Sequence, residues 1–285
     1  MLEKFVYILC ASSAWQLTCL IFAIIGFIDI IVKVEFPQIQ ALGFPLKLIV
    51  GIFVLCVVYL ICKCVITLAR SKFKLLRLCG LNNGNALYLA FDDILDPKKI
   101  DYKERINIII PANTTFETLV DNTVVSSKSL HGKAIMQLCN ETRDYTYIRK
   151  VLRRSLLKRE IQAISGSEKR ADNAYPVGSI ATICEGGTKC FHFLALSTFD
   201  KNVAHTSVND LYVAVNKLAE QLGEISQGFP VLIPILGTDL SKTHMDQNDI
   251  LKLLVLTIMM HKKEMTSNIY IVTLEEKRKS IIYPL

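Results

Sequence analysis

The sequence lacks the features that build disulfide scaffolds and zinc sites. Its nine cysteines form no CxxC pair and no cysteine–histidine cluster at zinc-site spacing. We therefore expect buried, reduced thiols rather than a disulfide framework. The sequence also has no internal repeat and no low-complexity tract. These absences argue against zinc-finger, repeat and cysteine-stapled proteins.

Charge is scarce in the first quarter of the chain. Residues 1–69 hold only four basic and three acidic side chains, against 33 and 26 in all 285 residues. The remaining residues hold 29 basic and 23 acidic side chains, which is +6 of the net charge of +7. That part has an ordinary soluble composition and is long enough for one domain with its own hydrophobic core.

Two long apolar runs fill the part with little charge. They cover about residues 14–33 and 46–69, and each is close to the ~20 residues that a helix needs to cross a bilayer. The first run lacks a small-residue cleavage site and is followed at once by the second, so a secretory signal peptide fits poorly. The short connection contains FP and GFP. We expect a transmembrane helical hairpin over residues 1–69.

Basic residues after the second run indicate the orientation of the hairpin. Residues 70–80 carry Arg70, Lys72, Lys74 and Arg77, and an excess of Lys and Arg marks the cytoplasmic side. We expect a basic cytoplasmic linker at 70–80 in a multi-pass protein of the cell (inner) membrane, with both termini in the cytoplasm. Within the runs, Asp29 and Lys63 either line a pore or snorkel to the interface.

The rest of the chain, residues 81–285, alternates between strand and helix patterns. Strands are expected at 86–91, 106–110, 231–236 and 269–274, a hairpin at 180–184 and 190–196, and helices at 129–139, 147–164, 208–225 and 249–261. This order predicts an α/β layered domain with a mixed sheet. The helix at 147–164 is strongly basic, but no aromatic ladder accompanies it. A solvated or lipid-facing surface is therefore favoured over nucleic-acid binding.

Three loops follow three of the predicted strands and suit the parts of a nucleotide. They are residues 92–94, 111–132 and 237–243. Ligands of α/β proteins bind beyond the carboxyl ends of the strands. A carboxylate can accept from an exocyclic amine, an asparagine amide can bind ribose hydroxyls, and loops rich in Gly, Ser and Thr can present backbone N–H groups to phosphates. The pattern predicts a nucleotide-diphosphate pocket.

The residues of these loops resemble the macro domains, which bind ADP-ribose. FDDIL at 91–95 is similar to their Gly-Asp-Ile turn, and IPAN at 110–113 to their Asn-Ala-Ala-Asn segment. SLHGKAI at 129–135 resembles the first phosphate loop with its helix, and ILGTDL at 235–240 the second phosphate loop. The resemblance implies a macro-like three-layer fold and no cofactor.

Two departures from the macro-domain pattern bear on catalysis. Ile110 replaces the first asparagine of the Asn-Ala-Ala-Asn segment, and the first phosphate loop has lost its run of glycines. Hydrolytic macro domains depend on both features. The resemblance therefore implies ligand binding without ADP-ribosyl hydrolase activity, and we expect no catalytic residues and no metal site.

The hairpin followed by a divergent macro domain resembles the membrane-anchored ThsA effectors of type II Thoeris anti-phage systems. This resemblance implies that a TIR-domain enzyme makes an ADP-ribose-type signal from NAD, here a histidine conjugate of ADP-ribose. It further implies that the effector binds this signal, forms homo-oligomers and disrupts the membrane, causing abortive infection. Two alternatives stay open: a membrane-tethered ADP-ribosyl hydrolase and a passive ADP-ribose-binding protein.

The predicted ligand-binding residues come from the four matched segments. They are Asp93, Asn113, Ser127, Ser129, His131, Gly132, Lys133, Gly237, Thr238, Asp239, Leu240 and Ser241. Asp93 either contacts adenine or caps a following helix. Asn113 either holds the distal ribose or shapes a turn. A histidine without a paired carboxylate is more often structural than catalytic, which applies to His131.

Overall fold

The structure is a computed structural model. It describes residues 75–102, 104–141, 144–164, 174–184, 188–200, 203–237, 243 and 245–281, together with Gly26. Within these residues, no helix has both the length and the hydropathy needed to cross a membrane. The predicted transmembrane hairpin lies outside the described residues, apart from Gly26.

The domain is built on one eight-stranded mixed sheet. Its strands are β1 (Leu75–Gly80), β2 (Ala86–Phe91), β3 (Ile106–Asn113), β4 (Ile180–Ile183), β5 (Lys189–Asp200), β6 (Val203–His205), β7 (Val231–Pro234) and β8 (Ile269–Thr273). The order across the sheet is β1-β2-β8-β7-β3-β5-β4, and β6 pairs with β5. The five middle strands are parallel, while β1 and β4 are antiparallel edge strands. The carboxyl ends of five strands therefore meet at one edge.

Four α-helices of the described region cover the sheet. They are α1 (Leu130–Glu141), α2 (Tyr145–Lys158), α3 (Val208–Ser226) and α4 (Gln247–Met260). Helix α1 packs on β3 and on α2, α2 packs on β4, and α3 packs on β5 and α4. This is the α/β layered domain with a mixed sheet that the alternation of patterns predicted.

The central strand β3 is a run of β-branched residues. Ile106, Ile108, Ile109 and Ile110 are all fully buried, as expected for a parallel strand covered on both faces. Burying each such side chain contributes about 1.5–3 kcal/mol. Neighbouring residues point to opposite faces, and the one polar residue among them, Asn107, is buried as well.

Each helix start has a polar cap. Asp144 accepts from the Tyr147 N–H at the start of α2, and Asp246 accepts from the Asn248 N–H at the start of α4. Ser207 and Asp210 form a reciprocal capping box at the start of α3. These caps satisfy N–H groups that a helix leaves without partners in its first turn.

Two predicted boundaries differ from the structure. Leu75–Gly80 pairs with β2 as an edge strand, so the domain begins at Leu75 and the predicted linker at 70–80 overlaps its first strand. The basic helix predicted at 147–164 ends at Lys158, because Glu160 has a left-handed φ of 55°. Edge pairing and helix ends depend on neighbouring segments, which local sequence patterns do not record.

The expectation of reduced thiols throughout the chain is wrong for one pair. Cys184 and Cys190 form a disulfide with a Cα–Cα distance of 4.3 Å. The antiparallel register that pairs Ile183 with Phe191 brings these two residues face to face. Cys79 and Cys139 are the free cysteines of the described region. The pairing arises from strand register, not from cysteine spacing.

Candidate functional site

A cleft of about 130 Å³ lies at the carboxyl ends of β2, β7 and β8. Residues 92–95 after β2, Pro234 and Ile235 after β7, and residues 272–274 around the end of β8 form its walls. Leu130 and Lys133 of α1 complete the walls of the cleft, together with Lys128, which comes just before the helix. The cleft thus joins three of the four segments on which the sequence resemblance rests. Its position is the usual ligand position of open α/β sheets.

The charge of this cleft is mainly positive. Lys128, Lys133 and Lys277 line it, against Asp92 and Asp93. Lys128 and Lys133 are exposed, and neither ammonium group forms an ion pair with another described residue. Ammonium groups that are not neutralised by carboxylates attract anions such as phosphates. The cleft therefore combines cations with a carboxylate-bearing wall.

The two aspartates after β2 have different tasks. Asp92 is buried, and its carboxylate accepts from the backbone N–H groups of Asp93, Lys98 and Lys99 at 2.6–3.0 Å. It therefore holds the loop that forms one wall of the cleft. Asp93 is exposed, and within the described part of the chain its carboxylate accepts only from the Leu95 N–H, at 2.9 Å. No helix follows Asp92, so the capping role considered for Asp93 is wrong, and its carboxylate caps a turn instead.

Serine side chains hold the loop before α1 in place. The Ser129 hydroxyl donates to the Ser126 carbonyl at 2.7 Å and accepts from the Gly132 N–H at 3.0 Å, so Ser129 is the N-cap of α1. A Cβ on Gly132 would lie 2.1 Å from the Ser126 oxygen. Ser127 bonds the Asn122 side chain through both its N–H and its hydroxyl. These residues position the loop, and direct ligand contact by them stays a prediction.

Asn113 ends β3 as a buried side chain. Its amide oxygen accepts from the Thr115 hydroxyl at 3.0 Å and from the Glu117 N–H at 2.9 Å. Asn113 therefore shapes the turn after β3, which was one of its two predicted roles. Because Oδ1 is occupied by these bonds, a ligand would meet the Nδ2 donor of this side chain.

An ion pair that sequence reasoning missed lies next to this turn. Glu117, which is largely buried, pairs with Arg149 of α2. Burial raises the pKa of the Glu117 carboxyl, but the Leu119 N–H, Arg149 and the Thr118 N–H outweigh it and lower the pKa overall. Glu117 is therefore ionised and ties the loop after β3 to α2. No sequence motif marks this pair, because its members are 32 positions apart.

His131 lies in the first turn of α1 and is 7% exposed. Its ring packs against the Phe193 ring at 5.5 Å between centroids, and its Nε2 has no hydrogen-bond partner among the described residues. Burial lowers the pKa of His131 to about 4, and the nearby Glu117 charge opposes this shift only in part. The imidazole is therefore neutral at pH 7.

Among the ligand-binding residues predicted in the second phosphate loop, Gly237 is the one that the structure describes. Its φ is +72°, and a Cβ there would lie 2.7 Å from Thr243 Cγ2. Thr243 also donates its hydroxyl to the Gly237 carbonyl at 3.0 Å. Glycine is therefore required at 237 for both its conformation and its contact with Thr243. Thr238, Asp239, Leu240 and Ser241 lie outside the described residues.

The structure brings only some of the predicted ligand residues together. Asp93 and Lys133 line the cleft, while Asn113 and His131 are buried beside β3 and β5. The sequence analysis did not select Asp92, Lys277 or Thr243. The sequence indicated the loops around the cleft, but it did not indicate which side chains point into the cleft. No group of three or more potential metal ligands occurs in the described part of the chain.

Several solved macrodomain structures are similar to this chain. Solved structures of an Oceanobacillus iheyensis macrodomain include a point mutant (12% identity, TM-score 0.43, 74% of this chain and 94% of that chain covered) and a complex with ADP (11%, 0.42, 73% and 92%). A macrodomain protein from Streptomyces coelicolor is 9% identical, with a TM-score of 0.37 and coverage of 64% and 95%. No curated protein matches the chain significantly.

The family assignment rests on the sequence itself. The family model described as "Thoeris protein ThsA, Macro domain" matches residues 88–273. The match begins in β2 and ends with β8, and it includes all the residues that line the cleft except Leu274 and Lys277. This chain therefore belongs to the Thoeris ThsA family and carries its macro domain.

Proposed function

We propose that this protein is a receptor of anti-phage defence that binds an ADP-ribose-type signal in the lysine-lined cleft. The observation that carries this proposal is the convergence of Asp93, Lys128 and Lys133 at the carboxyl ends of β2, β7 and β8. The family match and the macrodomain complexes solved with ADP and with ADPR are consistent with such a ligand.

The chemistry of the cleft fits a nucleoside diphosphate. The two exposed lysines supply positive charge for the diphosphate, and Asp93 supplies an acceptor for an exocyclic amine. The cleft volume of about 130 Å³ is below the ~300 Å³ typical of small-molecule sites. A whole ADP-ribose unit would therefore extend beyond it, and residues 237–243 and Asn113 are the predicted further contacts.

We propose binding rather than hydrolysis as the activity. His131, at a pKa of about 4, is a neutral and weak base, and Asp92 is committed to three loop N–H groups. Ile110 is fully buried in the core, so it presents no polar group where hydrolytic macro domains carry an asparagine. The substitution removes a group that hydrolysis in this fold relies on.

The apolar runs at 14–33 and 46–69 supply the proposed output. A ligand that binds one arrangement of the macro domains more tightly shifts the population toward it. In this proposal, the signal made by a TIR-domain partner favours homo-oligomers whose hairpins disrupt the inner membrane. The protein would then be multi-pass, with both termini in the cytoplasm and with membrane lipid as its surroundings.

Calorimetric titration of the full chain in detergent with ADP-ribose, NAD and a histidine conjugate of ADP-ribose tests the site. We expect Lys133→Gln to weaken binding of the best ligand about tenfold, which corresponds to ~1.4 kcal/mol. The matched control is Lys150→Gln, which removes the same charge from an exposed position outside the cleft. Equal affinity of the Lys133→Gln variant and the unmodified chain would refute the cleft assignment.

Activity separates the receptor from its enzymatic alternative. We expect that the full chain releases no free ADP-ribose from an ADP-ribosylated protein, and that a titrated ligand is recovered unchanged. Catalytic release of ADP-ribose that is lost in an Asn113→Ala variant would contradict the proposal and indicate a hydrolase.

A further inference from the structure

A second cleft of about 590 Å³ lies at the opposite end of the sheet from the lysine-lined cleft. It is referred to here as the amino-end groove, because it opens at the start of β3, beside the β4–β5 hairpin. Its walls come from α2, which lines it from Tyr147 to Lys158, and from the last turn of α3. It shares no residue with the lysine-lined cleft. The two cavities are therefore separate sites of one domain.

Positive charge dominates the lining of the amino-end groove. Arg105, Arg154, Lys158 and Arg159 face a single carboxylate, that of Glu224. The groove also receives the carboxyl ends of two helices, each equivalent to about −0.5 charge. After the carboxylate and both helix ends are counted, roughly two positive charges remain uncompensated.

Two of these cationic side chains have no ion-pair or hydrogen-bond partner in the described part of the chain. The exposed side chains of Arg154 and Lys158 form no ion pair or hydrogen bond with another described residue. Arg159, in contrast, bonds Gln221 at 3.0 Å and lies 3.4 Å from Glu224. The groove thus offers one guanidinium and one ammonium group for a ligand, beside a third cation that is held in place.

Arg105 forms the inner end of the groove and is also held in a fixed position. Its two Nη groups donate to Gln227 and Asn107 at 3.1 and 3.2 Å, and its guanidinium lies 5.6 Å from the centre of the Phe229 ring. Its Nε is buried without a hydrogen-bond partner in the described region. A buried donor without an acceptor costs free energy, which an anionic oxygen near this end would recover.

The floor of the groove is polar and rigid. His192 is 2% exposed and bonds Thr182 Oγ1 at 2.9 Å and Asn107 Oδ1 at 3.1 Å. Burial, with Arg159 and Arg105 nearby, lowers the pKa of His192 to about 3. Burial is the main cause of this shift, and the charges of Arg159 and Arg105 that add to it are charges that an anion would meet at this surface.

We propose that the amino-end groove is a second ligand site, which binds a phosphate group through Arg154, Lys158 and Arg105. Guanidinium groups bind phosphate oxygens with two parallel hydrogen bonds, and a planar, preorganised fork loses little entropy on binding. The groove is concave and has a polar floor, as a small-molecule site requires. The phosphate belongs either to a free phosphorylated molecule or to a lipid headgroup.

Titration of the full chain with inorganic pyrophosphate, in detergent, tests this site. The lysine-lined cleft is first disabled by Lys128→Gln and Lys133→Gln, so that the amino-end groove is the remaining proposed site. We expect one saturable event. Adding Arg154→Gln and Lys158→Gln should weaken it at least about tenfold. The matched control, Lys150→Gln with Arg153→Gln, removes two charges from α2 outside the groove and should change affinity less than threefold.

Further arms identify the source of the phosphate. Soluble dihexanoyl phosphatidylglycerol that binds more tightly than pyrophosphate, and depends on Arg154 and Lys158, would indicate a lipid headgroup. Tighter pyrophosphate binding would indicate a free phosphorylated molecule. Absence of saturable binding by both probes would overturn the proposal, as would equal weakening by the groove and control variants. Because the lysine-lined cleft is disabled, these outcomes do not depend on the ADP-ribose proposal.

Discussion

The two ends of the sheet each bury a neutral histidine, and the two histidines differ in their partners. At the amino end, both ring nitrogens of His192 are hydrogen-bonded, to Thr182 and Asn107. At the carboxyl end, the His131 Nε2 has no partner among the described residues. Both have a depressed pKa, about 3 for His192 and about 4 for His131.

This difference separates a histidine whose hydrogen bonds are complete within the protein from one that lies next to residues of the proposed ligand site. A buried polar atom without a partner costs free energy, and a structure retains one where strain, water, an ion or a ligand accounts for it. His192 needs no such explanation, because its network is complete within the protein. A depressed pKa alone does not distinguish the two cases, since burial is the first cause of both shifts.

The largest expected effect is on the pH dependence of stability. Each histidine has a folded pKa below its usual value of about 6.5, so the unfolded chain binds more protons between pH 6.5 and 4. The free energy of unfolding should therefore fall by up to about 3 kcal/mol per histidine as the pH drops through this range. Native-state hydrogen exchange of the β3 and β5 amides, corrected for intrinsic rates, measures this change.

The matched variants His131→Leu and His192→Leu sharpen the comparison. Each should flatten part of the pH dependence, because one titrating group is removed. At pH 7, however, only His192→Leu should destabilise the domain by about 1–3 kcal/mol, because it removes a buried hydrogen-bond partner of both Asn107 and Thr182. Equal destabilisation by the two variants at pH 7 would show that His131 is also fully engaged by the protein.

Asn107→Leu is expected to have the next largest effect. Asn107 is fully buried, and its Nδ2 donates to the Ser226 carbonyl at 3.0 Å while its Oδ1 bonds His192 and Arg105. Its replacement leaves buried polar groups without partners and should lower the free energy of unfolding by about 2–4 kcal/mol. Hydrogen exchange of the β3 amides measures this change.

Asn113→Ala is the matched control for Asn107→Leu. Its amide oxygen accepts two bonds within the partly buried turn after β3, so the loss should stay near 1 kcal/mol. A loss for Asn113→Ala as large as that for Asn107→Leu would contradict the difference between a fully buried hydrogen-bond network at the amino end of the sheet and a less buried one at the carboxyl end.

Gly132→Ala is expected to have a smaller effect than Asn107→Leu. The added Cβ would lie 2.1 Å from the Ser126 carbonyl oxygen, so the loop before α1 must move. Overpacking of this kind costs about 1–3 kcal/mol, and the displacement should also weaken ligand binding at Lys128 and Lys133. Gly228→Ala is a control with open space around its Cβ and a positive φ of 83°. Strain at position 228 should lower the free energy of unfolding by a similar amount, and the ligand affinity should stay unchanged.

Most elements of the domain were predictable because their patterns are local. Strand Ala86–Phe91 and helix Val208–Ser226 agree with the prediction to within one residue, since a buried parallel strand and a capped amphipathic helix each carry a complete signal. The sequence did not predict the edge strand Leu75–Gly80. Arg77 and the basic residues just before the strand suggested a membrane flank. The pairing of the strand with β2 is a tertiary contact, which the local sequence does not show.

The candidate site was predictable by segment and not by side chain. Its loops were recognised in order, and Asp93 and Lys133 do face one cleft. The buried role of Asp92, the Glu117–Arg149 pair and the clasp of Thr243 on Gly237 were not foreseen. Each depends on which way a loop turns, and a one-residue difference there exchanges an inward side chain for an outward one.

The sequence by itself determined the α/β alternation, the family and the segments that form the cleft, because apolar periodicity and turn residues are local signals. Only the tertiary structure decided that the Cys184–Cys190 hairpin, Arg105 and the last turn of α2 meet at one groove. The physical reason is that charges distant in sequence converge only once the strands adopt their order across the sheet.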